Sequence, residues 1–455
     1  MFRGPILVLF ALMSLSIPSA RGEEAAAPLV ELATFSCEIT PPLGHPLCGG
    51  WIKPAEAIQT PQLAKGVILR NAEGVYALCA LDWCELRNDA HDLFREKIAE
   101  ALGTSRERVA VQCLHQHNAP LTDSGAQLLL DKVSGAPVHA DLKFLEEAAR
   151  RVATAAGGVN TWNTVTHLGA GMARVERVAA TRRVHDGAGG ILVRYSSTRE
   201  LALQEAIEGK IDPYLRTIAF LDGGRNLACL HYYATHPQSY YGDGQVNWDF
   251  VGMARERAEE EVGGFQVYFT GCGGDITAGK YNDGSPERRP VLADRLHDAI
   301  RRSLASLAVR RVEELKWKVE PVRFQPRGEE IFSREFFQKM LADPNGSASS
   351  RGNAAIGLAW LDRVAADRPI DLACLSIGDI RILHLPGEPF VEFQLFAQRL
   401  REDLFVAVAG YGDGGPGYVC TEASFAEGGY EPTASLIEPK SEWVLKGAIE
   451  QLLGD

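Results

Sequence analysis

Residues 265–281 read FQVYFTGCGGDITAGKY, a strand-like run of apolar and aromatic residues that ends in a glycine-rich turn. The reading of that turn decides the architecture. From Gly274 onward, GDITAGKY departs at one position from G-x-x-x-x-G-K-[ST], the loop whose amides cradle nucleotide phosphates. Tyr281 stands where that loop needs a Ser or Thr hydroxyl for Mg²⁺. YNDGSPERRP (281–290) is turn-like, with two prolines, where the helix of a phosphate loop would begin. The turn therefore reads as a strand end in another α/β arrangement, and nucleotide is not an expected partner.

Working outward, strand-like runs fall at 66–71, 75–83, 108–114, 214–221, 227–234, 265–270, 371–377 and 381–385, rich in Val, Ile, Leu and aromatics. Helical periodicity marks 89–102, where Phe94, Ile98 and Leu102 share a face, and 141–156, where Leu145, Ala149, Val152 and Ala156 do. Residues 249–262, 290–307, 390–402 and 440–453 are similar. Such interspersion predicts an α/β fold of mixed β-sheets layered with helices. No internal repeat is visible. Residues 323–368 are polar, with DPNGSASSRGN at 343–353, and read as an insertion or lid, or equally as a surface excursion without a role.

The chain has 455 residues, 46% hydrophobic and 23% charged, enough for a sizeable core. Its net charge is −12 and no basic run is present, which argues against nucleic acid as a partner. The N-terminus carries Arg3, an apolar stretch from Pro5 to Ile17, then small residues. That is the pattern of a secretory signal over 1–22, followed by a loose leader at 23–30 and a single domain over 31–455. The expected location is exported, periplasmic or secreted; an N-terminal anchor is the alternative. Nine cysteines, with no C-x-x-C pair, read mainly as small buried hydrophobes, and one or two disulfides stay open.

Four stretches carry candidate chemistry. In CLHQHNAP (113–120), His115 and His117 lie two apart at a strand end, where period two would turn both imidazoles to one face, as metal binding needs. Two strand-end histidines bonded to backbone would look the same. In HYYATHPQSYYGDGQVNWDF (231–250), His236 ends another strand, and Asp249 either steadies a ligand histidine or caps its helix. In LHLPGEPFVEF (383–393), Glu388 sits at a strand-to-helix turn, as a ligand, a base or a residue favoured by the helix dipole. AGYGDGGPGYVCTEASFAEGGYE (409–431) places Tyr418 and Tyr430 around a short segment, and by itself reads as a glycine-rich turn with packed tyrosines.

In their order these motifs resemble the catalytic domain of the neutral, non-lysosomal ceramidase family, from ITPPLGHPLCGGW (39–51) to about residue 450. CEITPPLG resembles its D-I-T-P-P, CLHQHNAP its T-H-T-H-S-G-P, ATHPQS its H-P-T-S, WDFVGMARE its D-x-x-G-Y-A, LPGEPF its P-G-E, and GYVCTEASFAEGGYE its G-Y-V-T-T-x-E-E-Y with the second tyrosine at the same spacing. The resemblance implies a neutral-ceramidase-like fold and one Zn²⁺ held by His115, His236, Glu388 and Tyr418. It implies His117 as proton carrier or substrate contact, Tyr430 at an amide oxygen, and Arg182, in VAATRRVHDG (178–187), at the developing oxyanion. The implied activity is hydrolysis of an N-acyl lipid or related amide by metal-activated water.

Departures are concentrated around the substrate. Thr277 takes the position of the family's serine in G-D-V-S-P-N, as a further oxyanion support; N-A-P (118–120) replaces S-G-P, and Thr181 replaces the asparagine before Arg182. The match ends before the family's C-terminal immunoglobulin-like domain, which leaves peripheral membrane contact and oligomeric state open. A binding protein without turnover, or an esterase or peptidase on the same scaffold, remain the alternatives.

Overall fold

The computed structural model describes Met1, Gly4 and residues 29–454. The expected signal segment, and the leader up to residue 28, lie almost wholly outside the described residues.

One local pattern occurs three times: an antiparallel hairpin, a helix, and a strand that returns parallel to the hairpin's second strand. In the first unit the hairpin Leu63–Asn71 and Gly74–Leu81 is followed by helix Asp89–Leu102 and strand Val109–Cys113. In the second, Tyr214–Asp222 and Arg225–Tyr233 precede helix Asp249–Val262 and strand Phe265–Thr270. In the third, Ile370–Ile377 and Ile380–His384 precede helix Val391–Leu400 and strand Phe405–Ala409. A further antiparallel strand extends each sheet: Glu31–Glu38, His167–Arg174 and Leu315–Val322 respectively. Two of the sheets have five strands and the third has four. The parallel pairs are buried, so their strands read as near-continuous apolar runs such as VAVQC and FVAVA.

The three sheets share one core. Leu78 and Ala80 of the first, Tyr232 and Phe269 of the second, and Ile382 and Ala407 of the third belong to a single buried cluster. Helices Asp89–Leu102 and Leu142–Gly157 cover the other face of the first sheet through Phe94, Ile98, Val152 and Ala156. At their carboxyl ends the three returning strands are tied to one another. The Cys113 amide donates to the Tyr411 carbonyl (2.8 Å), the Gly410 amide to the Thr270 carbonyl (2.9 Å), and the Thr270 hydroxyl to the Leu114 carbonyl (2.7 Å). Loops leaving parallel strands at their carboxyl ends therefore meet at one place, which is where open α/β sheets bind ligands.

The 323–368 segment is mainly a helical hairpin, Arg334–Ala342 and Ala348–Ala365, packed on helix Ser124–Leu130 through Phe337, Leu341 and Ile356. Its second helix also packs against the Cys48–Gly50 turn. Strand His167–Arg174 escapes a propensity reading because it is rich in glycine. A Cβ at Gly171 would stand 2.3 Å from the Ser303 carbonyl oxygen, so glycine there lets helix Arg288–Ala305 lie close against the sheet.

Candidate metal centre

The turn that follows strand Phe265–Thr270 is the hub of the site. Its carbonyls at Gly273 and Ile276 accept from the Nδ1–H of His236 (2.7 and 3.1 Å), and Ile276 also takes the His236 amide (3.1 Å). Its Asp275 carbonyl takes the Arg182 amide (2.7 Å), and the Asp275 carboxylate takes the Val391 amide (2.8 Å). Gly274 donates to the Pro389 carbonyl (2.9 Å), and a Cβ there would meet the Glu388 carbonyl oxygen at 2.4 Å. One glycine-rich turn thus positions His236, Arg182 and the Glu388 segment together. Lys280, the lysine of the apparent phosphate motif, donates to the Gln204 and Ala206 carbonyls (both 2.5 Å).

His115 arrives from the first unit. The strand ends at Cys113 and His115 has φ +74°, so the two histidines are not presented by strand alternation as expected; a left-handed kink turns the chain between them. His115 Nδ1 donates to the Cys84 carbonyl (3.1 Å). Carbonyls only accept, so both ligand candidates carry their proton on Nδ1 and a lone pair on Nε2. Those two nitrogens lie 3.0 Å (His115) and 3.2 Å (His236) from the same oxygen, Glu388 Oε2. None of the three atoms has a hydrogen-bond partner among the described residues, and all three side chains are buried. Burial, reinforced by Arg182, pulls the His236 pKa down to about 4, which keeps that ring neutral. Three lone pairs, one from a carboxylate, face one another in a dry site. Such a set calls for positive charge among the three atoms: against the burial that lowers it, Glu388 and Glu85 raise the His115 pKa, and the same donor set fits a divalent metal.

Glu388 pairs in parallel register with Tyr418. Gly387 (φ +63°) makes this possible, because a Cβ there would meet the Gly417 carbonyl oxygen at 2.5 Å. Tyr418 is buried, its ring is stacked against His236 at 6.4 Å, and its hydroxyl accepts from Arg182 Nη1 (2.8 Å). Burial raises the Tyr418 pKa well above its ordinary value, while Arg182 pulls it down. Arg182 also faces Glu431 (3.8 Å), and its guanidinium lies over both the Tyr418 and Tyr430 rings. His117 stands beside the centre, its ring 4.9 Å from that of His115 and its Nε2 unpartnered. His115, His117, Arg182, Glu388, Tyr418 and Tyr430 all line one cavity of about 360 Å³.

Two expected residues stand apart. Thr277 is fully buried, pairs with Ala180 and accepts from the Gly279 amide (3.2 Å); it does not line the cavity. Asp249 accepts from the Ser239 amide (2.9 Å) and the Tyr240 amide (3.1 Å), holding the loop after His236 rather than its ring, and from the Phe250 amide (2.6 Å) at its own helix start. A larger hollow of about 540 Å³ lies elsewhere, behind Arg183, with Lys210 and Lys446 on its wall. Its charged groups are paired, Arg183 with Glu431 and Lys210 with Glu392, and it holds none of the proposed ligands.

The sequence reading missed Cys48, Cys84 and Tyr411. All nine cysteines are free, and these two are not passive filler: both line the cavity. A hydrogen bond from the Cys84 thiol brings the Cys48 pKa down to about 6 against the burial that raises it. The Tyr411 ring stacks on His115 at 4.3 Å.

No protein-family model and no curated protein sequence matches the chain. Among solved structures it is similar to neutral ceramidase from Pseudomonas aeruginosa, with 14% identity, TM-score 0.65, and coverage of 94% of this chain and 74% of that one. It is also similar to a ceramidase complexed with C2, with 14% identity, TM-score 0.67, and coverage of 93% and 74%. The chain has the neutral ceramidase fold.

Proposed function

We propose that the protein is an exported, zinc-dependent hydrolase that cleaves the amide bond of an N-acyl lipid or a related N-acyl substrate. The observation that carries this reading is the convergence of His115 Nε2, His236 Nε2 and Glu388 Oε2 within 3.0–3.2 Å in a buried pocket, each ring spending its Nδ1 on a backbone carbonyl. The shared fold with ceramidases supports the substrate class, and the apolar N-terminal segment supports export.

His115, His236, Glu388 and Tyr418 would hold the ion. When bound, it supplies Lewis acidity to a carbonyl and an acidified water at neutral pH. Arg182 holds the Tyr418 oxygen by donating to it, and its fixed positive charge favours the oxyanion that forms as an amide carbonyl becomes tetrahedral. The Tyr430 hydroxyl, whose pKa burial lifts to about 12, stays protonated and donates to the amide oxygen. His117 is placed to pass a proton or to contact the substrate. Thr277 acts here by fixing the turn, its hydroxyl being engaged there already. A cavity of this size takes the amide and its neighbouring atoms, and long acyl chains run out past the exposed rim of Trp51, Tyr241 and Tyr430.

The test is a hydrolysis screen over ceramide, short N-acyl amino acids, esters and peptides, with metal-stripped and zinc-reloaded protein. Zinc-dependent release of a fatty acid from an amide is expected. Turnover of none would leave a binding protein, and equal turnover after stripping would remove the metal from the account.

A further inference from the structure

Beside the centre just described lies a second set of metal-type donors. Cys48 and Cys84 are 2% and 1% exposed, and both thiols face the cavity wall next to His117. Cys48 Sγ is 3.7 Å from His117 Nδ1. Cys84, His115 and His117 form one group, each offering a donor atom within 4.8 Å of the others, and Cys48 extends it through His117. Around a tetrahedral zinc, with Zn–S of about 2.3 Å and Zn–N of about 2.0 Å, sulfur and nitrogen stand roughly 3.5 Å apart. The Cys48–His117 separation is close to that span.

The backbone holds these groups in place. The Cys48 amide donates to the Ala119 carbonyl and the Cys84 amide to the Pro120 carbonyl, both at 2.8 Å, so two consecutive residues of the His117 loop fix both cysteines. Cys48 has φ +47° and is followed by Gly49 and Gly50, also left-handed, so its side chain is aimed by a strained turn. The Cys84 thiol also lies 3.9 Å from His115 Nδ1, but that nitrogen donates to the Cys84 carbonyl and His115 Nε2 faces the first centre.

We propose that Cys48, Cys84 and His117 Nδ1 form a second metal site, a two-thiolate, one-imidazole set with a fourth position open to the cavity, suited to a thiophilic divalent ion such as zinc or cadmium. It shares with the first centre the 113–120 loop, the cavity and Cys84, whose carbonyl accepts from His115 Nδ1. Occupied, it ties up His117 Nδ1 and leaves Nε2–H as a donor, which makes His117 a substrate contact rather than a proton acceptor.

The experiment loads reduced, metal-stripped full-length protein with Co²⁺ and records the near-ultraviolet sulfur-to-cobalt charge-transfer band, with metal content measured in parallel. The wild type should show the band and hold about two ions per chain. Cys48→Ser and Cys84→Ser should each weaken the band, and the double variant should lose it together with about one equivalent of metal. His236→Ala should keep the band and lose the other equivalent. If a cysteine variant misfolds, metal protection of the wild-type thiols against an alkylating reagent reads the same ligation, and unprotected thiols count against the site. No sulfur-to-cobalt band on the reduced wild type overturns the proposal, as does a Cys48–Cys84 disulfide in protein purified under reduction. Failure of the first centre is distinct: His236→Ala would then leave total metal unchanged while the band persists.

Discussion

His231 and His236 lie five residues apart in HYYATH. Both are fully buried, and burial pulls both pKa values down to about 4. They differ in their second nitrogen. His231 Nδ1 bonds the Thr217 hydroxyl and its Nε2 the Gln266 amide oxygen, each at 2.8 Å, so nothing of it is left over. His236 spends Nδ1 on backbone carbonyls and leaves Nε2 facing Glu388. Burial and acidity do not separate a structural histidine from a ligand; unspent lone pairs that converge on a carboxylate do. His384 sharpens the rule. It is buried with neither nitrogen bonded, yet it packs near Phe269 and Trp317 and belongs to no candidate metal group among the described residues.

The largest effect should come from removing the carboxylate on which the lone pairs converge. Glu388→Gln should lower amide hydrolysis by more than about 100-fold, since groups that merely orient a ligand already cost about 10–100-fold. Activity within a few-fold of wild type would mean that the converging lone pairs do not serve the reaction. On the structural side, His231→Ala should cost about 2–3 kcal/mol in urea unfolding, because it strands Gln266 and Thr217 and opens a cavity, while metal content stays at the wild-type level. A parallel loss of metal would show that the two histidines are not distinct in role.

The pH dependence sharpens the same contrast. The folded pKa of His231 is depressed from about 6.5 to about 4, so the unfolded chain takes up this proton first as pH falls. Its contribution is present above about pH 6.5 and is lost as pH falls towards 4, by up to roughly 3 kcal/mol. Urea unfolding of His231→Gln should show a shallower loss over that window than wild type. An identical slope would mean that this ring does not govern acid stability. The smallest effect is expected at Thr277→Ser. The serine hydroxyl can still accept from Gly279, so stability should change by less than about 1 kcal/mol and metal content not at all. A large change in turnover would return Thr277 to the catalytic group.

Much of the layering was legible in the sequence. The apolar faces of 89–102 and 249–262 gave helices with those bounds, and FQVYFT a strand with its own. The three-unit plan was hidden because the units share a pattern of pairing, not residues: their returning strands read VAVQC, FQVYFT and FVAVA. That Glu388 and Tyr418 lie side by side was not legible in local spacing, since their pairing is a two-residue ladder between distant turns. The inward turn of Thr277 is a similar case: it follows from pairing with Ala180, almost a hundred residues earlier. Cys48 and Cys84 were unreadable for another reason. A thiol packed in a core and a thiol facing a cavity wall are equally buried, and only the position of His117 distinguishes them.

The most direct measurement is the zinc content of purified protein after dialysis against metal-free buffer, for wild type, His115→Ala, His236→Ala and His231→Ala side by side. His231→Ala should match wild type, and His115→Ala and His236→Ala should each lose about one equivalent. Unchanged zinc in both His115→Ala and His236→Ala would contradict the ligand assignment.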